Sequence, residues 1–165
     1  MKVLIIDDDE DLRSILARYL TQEWPELEVE QFDPLVREMP DAAFPLDAYD
    51  VIILDYMLGR GDGLDWLQQF KLRADCPPIL FLTGAGNEVI AVRAMKIGAD
   101  DYQRKQELTR ERLVASVREL AMVKLEKGVT PEISARAEGH ELGARIQIPG
   151  IQVLSRDRLA VDRLA

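Results

Sequence analysis

Acidic, hydroxyl and ammonium side chains stand at the ends of four apolar segments of the chain. Asp7 and Asp8 come directly after the first segment, and Asp55 follows the third. Thr83 and Lys105 follow the last two segments. If these segments are neighbouring parallel strands, their carboxyl ends meet at one edge of a sheet, where such folds place their sites. The spacing therefore predicts one pocket that contains several carboxylates, a hydroxyl and an ammonium group.

This set of groups suits phosphoryl transfer assisted by a divalent cation. Carboxylates that lie within a few ångström of one another repel and raise each other's pKa, and a hard cation relieves that repulsion. A donor set of oxygens favours Mg²⁺ or Mn²⁺ over Zn²⁺. An aspartate can then attack a phosphoryl group in line, while Thr83 and Lys105 neutralise its oxygens. Gly84 leaves space and a free backbone N–H beside the phosphoryl group.

Composition excludes several other classes of protein. The chain has 165 residues, 47% of them hydrophobic and 31% charged, which fits one folded domain with a short appendage. A formal charge of −9 argues against direct binding of nucleic acid or of an anionic membrane. One cysteine, Cys76, and one histidine, His140, cannot form a disulfide framework or a soft-metal cluster. Neither a signal peptide nor a membrane span is recognisable, so we expect a cytoplasmic protein.

The pattern of apolar residues predicts five strand–helix units and an α/β fold. Short apolar runs without alternation are typical of parallel strands that helices cover on both faces. Right-handed crossovers then give a doubly wound, five-stranded parallel sheet. The predicted strands lie at residues 3–6, 27–32, 51–54, 79–82 and around Tyr102.

The second helix of this pattern is expected to be short or irregular. Asp33 and Pro34 have the character of an N-cap followed by proline at the first helical position. Pro40 and Pro45 then interrupt the segment, because proline lacks the N–H that a helix interior needs.

Four motifs resemble the receiver domain of two-component response regulators. They are VLIIDDDEDLR, VIILDYMLGRGDGLDWL, ILFLTGAG and AMKIGADDYQRK, and together they cover about residues 1–125. The resemblance implies a flavodoxin-like fold in which Asp55 accepts a phosphoryl group in signal transduction. Asp8 would bind Mg²⁺ directly and Asp7 partly through water. Asp55 and the backbone carbonyl of Met57 would complete the protein ligands.

The resemblance also assigns a switch and partners. Thr83 and Lys105 would bind the phosphoryl oxygens, and Tyr102 would turn inward when Thr83 moves toward the phosphate. The surface formed by the fourth helix, fifth strand and fifth helix would then change. A histidine kinase or phosphotransfer protein would supply the phosphoryl group in a phosphorelay. An effector domain or a second copy of the chain would read the changed surface. The protein would catalyse its own phosphorylation and dephosphorylation and would not turn over an external substrate.

Two positions depart from the family pattern. Gln106 stands where a proline, commonly after a cis bond, usually follows the lysine. A cis bond before a residue other than proline costs about 3–4 kcal/mol, so the Lys105–Gln106 bond is left open between cis and trans, and with it the placement of the loop. Gly59 replaces a proline four residues past Asp55, which predicts a more flexible loop from Gly59 to Gly63.

Two other functions remain open from the residues alone. One is a protein-interaction module on the same fold that is never phosphorylated. The other is a Mg²⁺-dependent phosphatase of the haloacid-dehalogenase type, whose nucleophile lies in a D-x-D-x-[TV] motif after the first strand. Asp11 stands where that motif needs threonine or valine, and the chain lacks room for a cap domain.

The charge distribution predicts a boundary near residue 128. Residues 1–127 contain 16 Lys or Arg and 25 Asp or Glu, whereas residues 128–165 contain five of each. We expect a receiver domain at 1–125 and a linker at 126–144. Residues 145–165 would form a short C-terminal extension or the start of a truncated effector domain.

Overall fold

Five strands and four α-helices alternate along the part of the chain that the computed structural model describes, residues 1–84 and 88–128. Two short 3₁₀ helices, Leu46–Ala48 and Lys105–Glu107, lie between them. The strands are β1 (Lys2–Ile6), β2 (Glu28–Phe32), β3 (Val51–Asp55), β4 (Ile79–Thr83) and β5 (Asp101–Arg104). The helices are α1 (Glu10–Glu23), α2 (Gly63–Lys71), α3 (Glu88–Ile97) and α4 (Arg110–Gly128).

All five strands pair in parallel in the order β2-β1-β3-β4-β5. This topology confirms the predicted doubly wound α/β fold. Ile6 lies opposite Leu54 in the register of β1 and β3. The residues that follow them, Asp7 and Asp55, therefore lie side by side at the carboxyl ends of β1 and β3.

The two faces of the sheet bury separate apolar layers. Ile52, Leu54 and Phe81 pack in one layer with residues of α2 and α3. Ile53 and Leu80 pack in the other layer with residues of α1 and α4. Successive residues of a strand point to opposite faces, so a strand covered on both sides must be apolar at every position. This requirement explains why β3 and β4 show no alternation.

The segment between β2 and β3 forms no α-helix. It contains a turn at residues 34–36 and the 3₁₀ helix Leu46–Ala48, so the predicted irregularity is confirmed. Aromatic side chains cover the sheet in place of a helix: the Phe44 ring stacks on Tyr49 at 5.8 Å and meets Phe32 edge-on at 6.3 Å. The fourth and fifth helices of the sequence pattern are consequently α3 and α4.

The last helix is tied to this irregular segment. Lys124 donates hydrogen bonds to the carbonyls of Asp47 and Tyr49, at 2.8 and 2.5 Å. The helix continues to Gly128, so the first residues of the predicted linker are helical. The predictions for residues 129–165, including His140, lie outside the described residues. Within the described residues, no helix has the length and apolarity needed to cross a membrane.

Candidate functional site

Three carboxylates converge at the carboxyl ends of β1 and β3. Asp7, Asp8 and Asp55 each offer an oxygen, and these oxygens all lie within 4.8 Å of one another. Asp7 is fully buried, Asp55 is only 1% exposed, and Asp8 is partly exposed. The acidic cluster that the sequence predicts is therefore formed, with an open side at Asp8.

The start of α1 holds the first carboxylate in place. The Asp7 carboxylate accepts a hydrogen bond of 2.8 Å from the backbone N–H of Asp9. Asp9 is itself the N-cap of α1, because its side chain accepts from the Leu12 N–H. The cap thus fixes the turn from which Asp7 and Asp8 project.

Lys105 inserts its ammonium group between two of the acids. Its Nζ lies 2.9 Å from Asp7 Oδ2 and 2.8 Å from Asp55 Oδ2. These are ion pairs by distance, but their angles are not those of aligned hydrogen bonds. The Lys105–Gln106 peptide, which the sequence left open, is trans, since the described residues contain no cis bond. Lys105 is the first residue of a 3₁₀ helix, and from that position its side chain contacts Asp7 and Asp55.

Burial changes the protonation of this cluster. Burial and the adjacent charge of Asp7 raise the pKa of Asp55 to about 7, against the opposing effect of Lys105. Burial likewise raises the pKa of Asp7, although the Asp9 N–H and Lys105 oppose it. Burial lowers the pKa of Lys105, but its two acidic neighbours outweigh burial and raise it above the ordinary value. The three groups therefore hold fewer than three full charges at neutral pH.

The donor set of the cluster fits a hard divalent cation. Asp55 Oδ1 is buried and has no hydrogen-bond partner among residues 1–84 and 88–128. A buried carboxylate oxygen without a partner is costly unless a ligand contacts it. The three side chains of the cluster all offer carboxylate oxygens, a ligand type that Mg²⁺ prefers.

Thr83 lies at the same edge of the sheet. It is the last residue of β4, it is fully buried, and its Oγ1 has no hydrogen-bond partner in the described part of the chain. Leu82 pairs with Asp55 in the register of β3 and β4, so Thr83 lies one residue beyond this pair. Gly84 follows and is partly exposed. The hydroxyl is thus without a partner among the described residues, at the edge of the sheet where β3 ends in Asp55.

Tyr102 lies on the edge strand β5, next to β4, the strand that ends in Thr83. The tyrosine ring is 42% exposed, in agreement with an outward orientation. Thr83 and Tyr102 both line a groove of about 540 Å³ between α3 and β5. Glu88, Ala91, Val92, Met95, Lys96 and Arg104 complete its lining. Thr83 is therefore shared between this groove and the edge of the sheet at which β1 and β3 end.

The loop after β3 owes its path to glycine. Gly59 and Gly61 have φ angles of 69° and 84°, which proline cannot adopt. The replacement of the family's proline by Gly59 therefore changes the backbone conformation here. Met57 pairs with Asp62 in an isolated antiparallel bridge, and its side chain is exposed. Its backbone carbonyl remains a predicted metal ligand.

Gly63 is a site residue that the sequence analysis missed. A methyl group on Gly63 would overlap the backbone oxygen of Asp55. The Gly63 N–H donates a 2.6 Å hydrogen bond to the Tyr56 carbonyl, which draws the start of α2 against the end of β3. A glycine at the first helical position, directly after the N-cap Asp62, was the available signal.

Comparison with known proteins agrees with this geometry. A family model of the response regulator receiver domain matches residues 3–118. The chain therefore belongs to this family and contains a receiver domain of two-component response regulators. The resemblance drawn from the sequence motifs is confirmed, and the comparisons give no support to the phosphatase or to an unphosphorylated module.

Relatives and solved structures cover this part of the chain. The transcriptional regulatory protein CpxR of Klebsiella pneumoniae is 34% identical over 119 residues, which are 71% of this chain and 47% of the relative. CpxR of Escherichia coli K12 gives the same values. The chain thus spans about half the length of these curated relatives. A receiver domain from Clostridium thermocellum is 25% identical with a TM-score of 0.66, covering 76% of this chain and 98% of that domain. NtrX of Brucella abortus with ADP is 26% identical, with a TM-score of 0.65 over 77% of this chain and 27% of NtrX.

The buried charge of Asp55 destabilises the metal-free fold. Because the folded pKa of about 7 lies above the ordinary 3.8, this group's contribution to stability is fully present below pH 3.8 and is lost as pH rises through 7. We expect Asp55→Asn to raise the free energy of unfolding by about 1–3 kcal/mol at pH 8, and by less at pH 5. Urea denaturation in EDTA measures both values. Glu26→Gln, at an exposed site, is the control and should change neither; an equal gain at both pH values for Asp55→Asn would contradict the prediction.

A side chain at residue 63 should displace Asp55. We expect Gly63→Ala to lower the free energy of unfolding by about 1–3 kcal/mol, since the methyl group meets backbone that cannot move aside. Urea denaturation checks this value, and a Mg²⁺ titration should show weaker binding. Gln69→Ala, on the exposed face of the same helix, should stay within about 0.5 kcal/mol of the wild type. A Gly63→Ala protein as stable as that control would refute the assignment.

Proposed function

We propose that Asp55 accepts a phosphoryl group in a Mg²⁺-dependent reaction and that the domain thereby acts as a signalling switch. One observation supports this most directly. The Asp55 carboxylate is buried, lies beside two other acids and an ammonium group, and has one oxygen without a partner. The unpartnered oxygen leaves a lone pair available for attack, and the excess of acids over ammonium groups favours binding of a cation, which in turn would attract a phosphoryl group.

The carboxylate oxygen of Asp55 is the nucleophile. It attacks the phosphorus of a phosphohistidine or of a small phosphodonor, and an O–P bond forms as the bond to the leaving group breaks. The leaving group keeps the electron pair and takes a proton from solvent, and Asp55 becomes an acyl phosphate. Asp55 must be unprotonated to attack. Lys105 favours that form, since its positive charge lies 2.8 Å away.

Asp7, Asp8 and Asp55 would hold the cation, together with the backbone carbonyl of Met57. The cation, Mg²⁺ or Mn²⁺, supplies positive charge beside the phosphoryl oxygens when it is bound. The acidic cluster supports this assignment, because its oxygens lie within 4.8 Å of one another.

Lys105 and Thr83 would bind the transferred group. Formation of the acyl phosphate removes the carboxylate charge of Asp55, so the ammonium group loses one of its two charged partners and can turn toward a phosphoryl oxygen. The Thr83 hydroxyl has no competing partner among the described residues, so it is available to donate to a second oxygen. Gly84 would offer its backbone N–H beside Thr83.

The groove between α3 and β5 would carry the signal outward. The phosphoryl group itself carries about −1.5 to −2 charges and three strong acceptors. Movement of Thr83 toward it would open space that the exposed Tyr102 ring can fill, since both residues line the groove. The α3–β5–α4 surface, which the sequence pattern numbers as fourth helix, fifth strand and fifth helix, would then have two states.

Partners follow from the family. A histidine kinase or phosphotransfer protein would supply the phosphoryl group, and the domain would catalyse its own phosphorylation and dephosphorylation. An effector domain beyond residue 145, or a second copy of this chain, would read the α3–β5–α4 surface. Direct contact with nucleic acid or a membrane is not expected of the described domain, given the acidity of residues 1–127. We propose a cytoplasmic location.

Phosphoryl acceptance at Asp55 can be tested directly. Incubation of the full chain with acetyl phosphate and Mg²⁺ should add one phosphoryl group, measured by mass spectrometry of the intact protein. Asp55→Asn should abolish the addition, because an amide is a poor nucleophile. EDTA should suppress it in the wild type. Asp11→Asn, an exposed acid in the first turn of α1, should be labelled like the wild type. Undiminished labelling of Asp55→Asn would refute the proposal.

Inward movement of Tyr102 can be tested by nuclear magnetic resonance. We expect Mg²⁺ with beryllofluoride, which mimics the phosphoryl group, to reduce the broadening of the Tyr102 ring signal by a soluble paramagnetic agent. The signal of Tyr19, on α1, serves as the internal reference. The Asp55→Asn protein should show no change. If the Tyr102 ring stays equally accessible while the wild type binds beryllofluoride, the switch assignment is wrong.

A further inference from the structure

A buried arginine links the acidic cluster to the irregular segment after β2. Arg13, on α1, is only 6% exposed. One terminal nitrogen donates a 2.6 Å hydrogen bond to the backbone carbonyl of Asp7, and the other lies 3.3 Å from Asp33 Oδ2. A guanidinium presents its donors in a fixed fork, so one side chain can hold both groups at a set separation. The α1 helix thereby connects the ends of β1 and β2.

Asp33 organises a turn directly after β2. Its Oδ1 accepts a 2.8 Å hydrogen bond from the Leu35 N–H, and its carbonyl accepts from the N–H groups of Val36 and Arg37. The second carboxylate oxygen of Asp33, Oδ2, is the one that contacts Arg13. The position of Leu35 is therefore set through Asp33, and Asp33 is in turn held by Arg13.

The Leu35 side chain lies at the rim of the acidic cluster. A methyl group on Gly59 would collide with Leu35 Cδ2 and would lie 3.2 Å from Asp8 Oδ2. Leu35 and the Asp8 carboxylate thus border the same small space. Because Gly59 has no side chain, the leucine packs directly on the backbone of the loop that follows Asp55.

We propose that Arg13 is a positioning residue of the cation site, acting through the Asp7 backbone and the Asp33 turn. The inference rests on the proposed function, since it concerns the same site. Arg13 holds the backbone of Asp7 directly. Through Asp33 it also holds Leu35, whose side chain borders the same space as the Asp8 carboxylate. Residues that orient metal ligands in this way change metal affinity when they are removed, without touching the metal.

Calorimetric titration with Mg²⁺ alone, on the full chain, tests the inference. We expect Arg13→Met to weaken binding about tenfold, since it keeps the bulk of the side chain but no donor. Arg18→Met, an exposed arginine on the same helix, should bind like the wild type. Asp33→Asn should also weaken binding, because its amide can still serve the Leu35 N–H but no longer pairs with the guanidinium.

A matched control exists for the second variant. Asp41 accepts the N–H two residues ahead, at 2.9 Å, as Asp33 does, so Asp41→Asn tests the same turn chemistry away from the site. Its Mg²⁺ affinity should be unchanged. Trp66 lines a cleft with Pro34 and Leu35, and in a Trp24→Phe background its emission reports the position of the turn. We expect Asp33→Asn to shift that emission and Asp41→Asn to leave it unchanged.

The outcomes separate this inference from the proposed function. Wild-type affinity in Arg13→Met would overturn the role of Arg13 alone. If Arg13→Met does not fold by circular dichroism, Asp33→Asn decides, and wild-type affinity in that variant would overturn the role. Failure of the wild type itself to bind Mg²⁺ would overturn the proposed function and this inference together. Weaker binding in both site variants, with both controls unchanged, would support it.

Discussion

Two buried acids, Asp7 and Asp55, lie close to a third acid and an ammonium group, and the rest of the structure holds these charges together. The penalty for burying Asp55 raises its pKa to about 7, close to the pH of a cell. Lys105 offsets part of the penalty but lies between two carboxylates and cannot satisfy both fully. The site is thus incomplete without a positive ligand, which is the electrostatic condition for binding a cation and then a phosphoryl group.

The parallel sheet makes this arrangement possible. Hydrogen bonds in register align the ends of β1 and β3, so two acids from distant parts of the chain are held side by side by backbone. Strands buried on both faces cannot shift without moving both apolar layers. The sheet can therefore hold like charges together at a cost that a freely moving chain would avoid by separating them.

The surroundings of the site differ from a simple repetition of strand and helix. Prolines prevent a regular helix after β2, and the freed segment places Leu35 against Gly59 at the rim of the cluster. Gly63 lets α2 begin in contact with the backbone of Asp55. Gly59 and Gly63 both lie where another part of the chain approaches closely. A Cβ atom at Gly59 would push Leu35 away, and one at Gly63 would push the backbone of Asp55 away.

The sequence alone determined which residues end each strand and which strands are apolar on both faces, and therefore the fold. It also predicted that Asp7, Asp8, Asp55, Thr83 and Lys105 belong to one site. These properties are local, since strand periodicity and the residue after each strand are visible in a short stretch of chain. Tertiary structure decided the rest. The burial of Arg13, its contact with Asp33, and the clash that forbids a side chain at Gly63 depend on how separate elements pack against one another, and only the tertiary structure defines those distances.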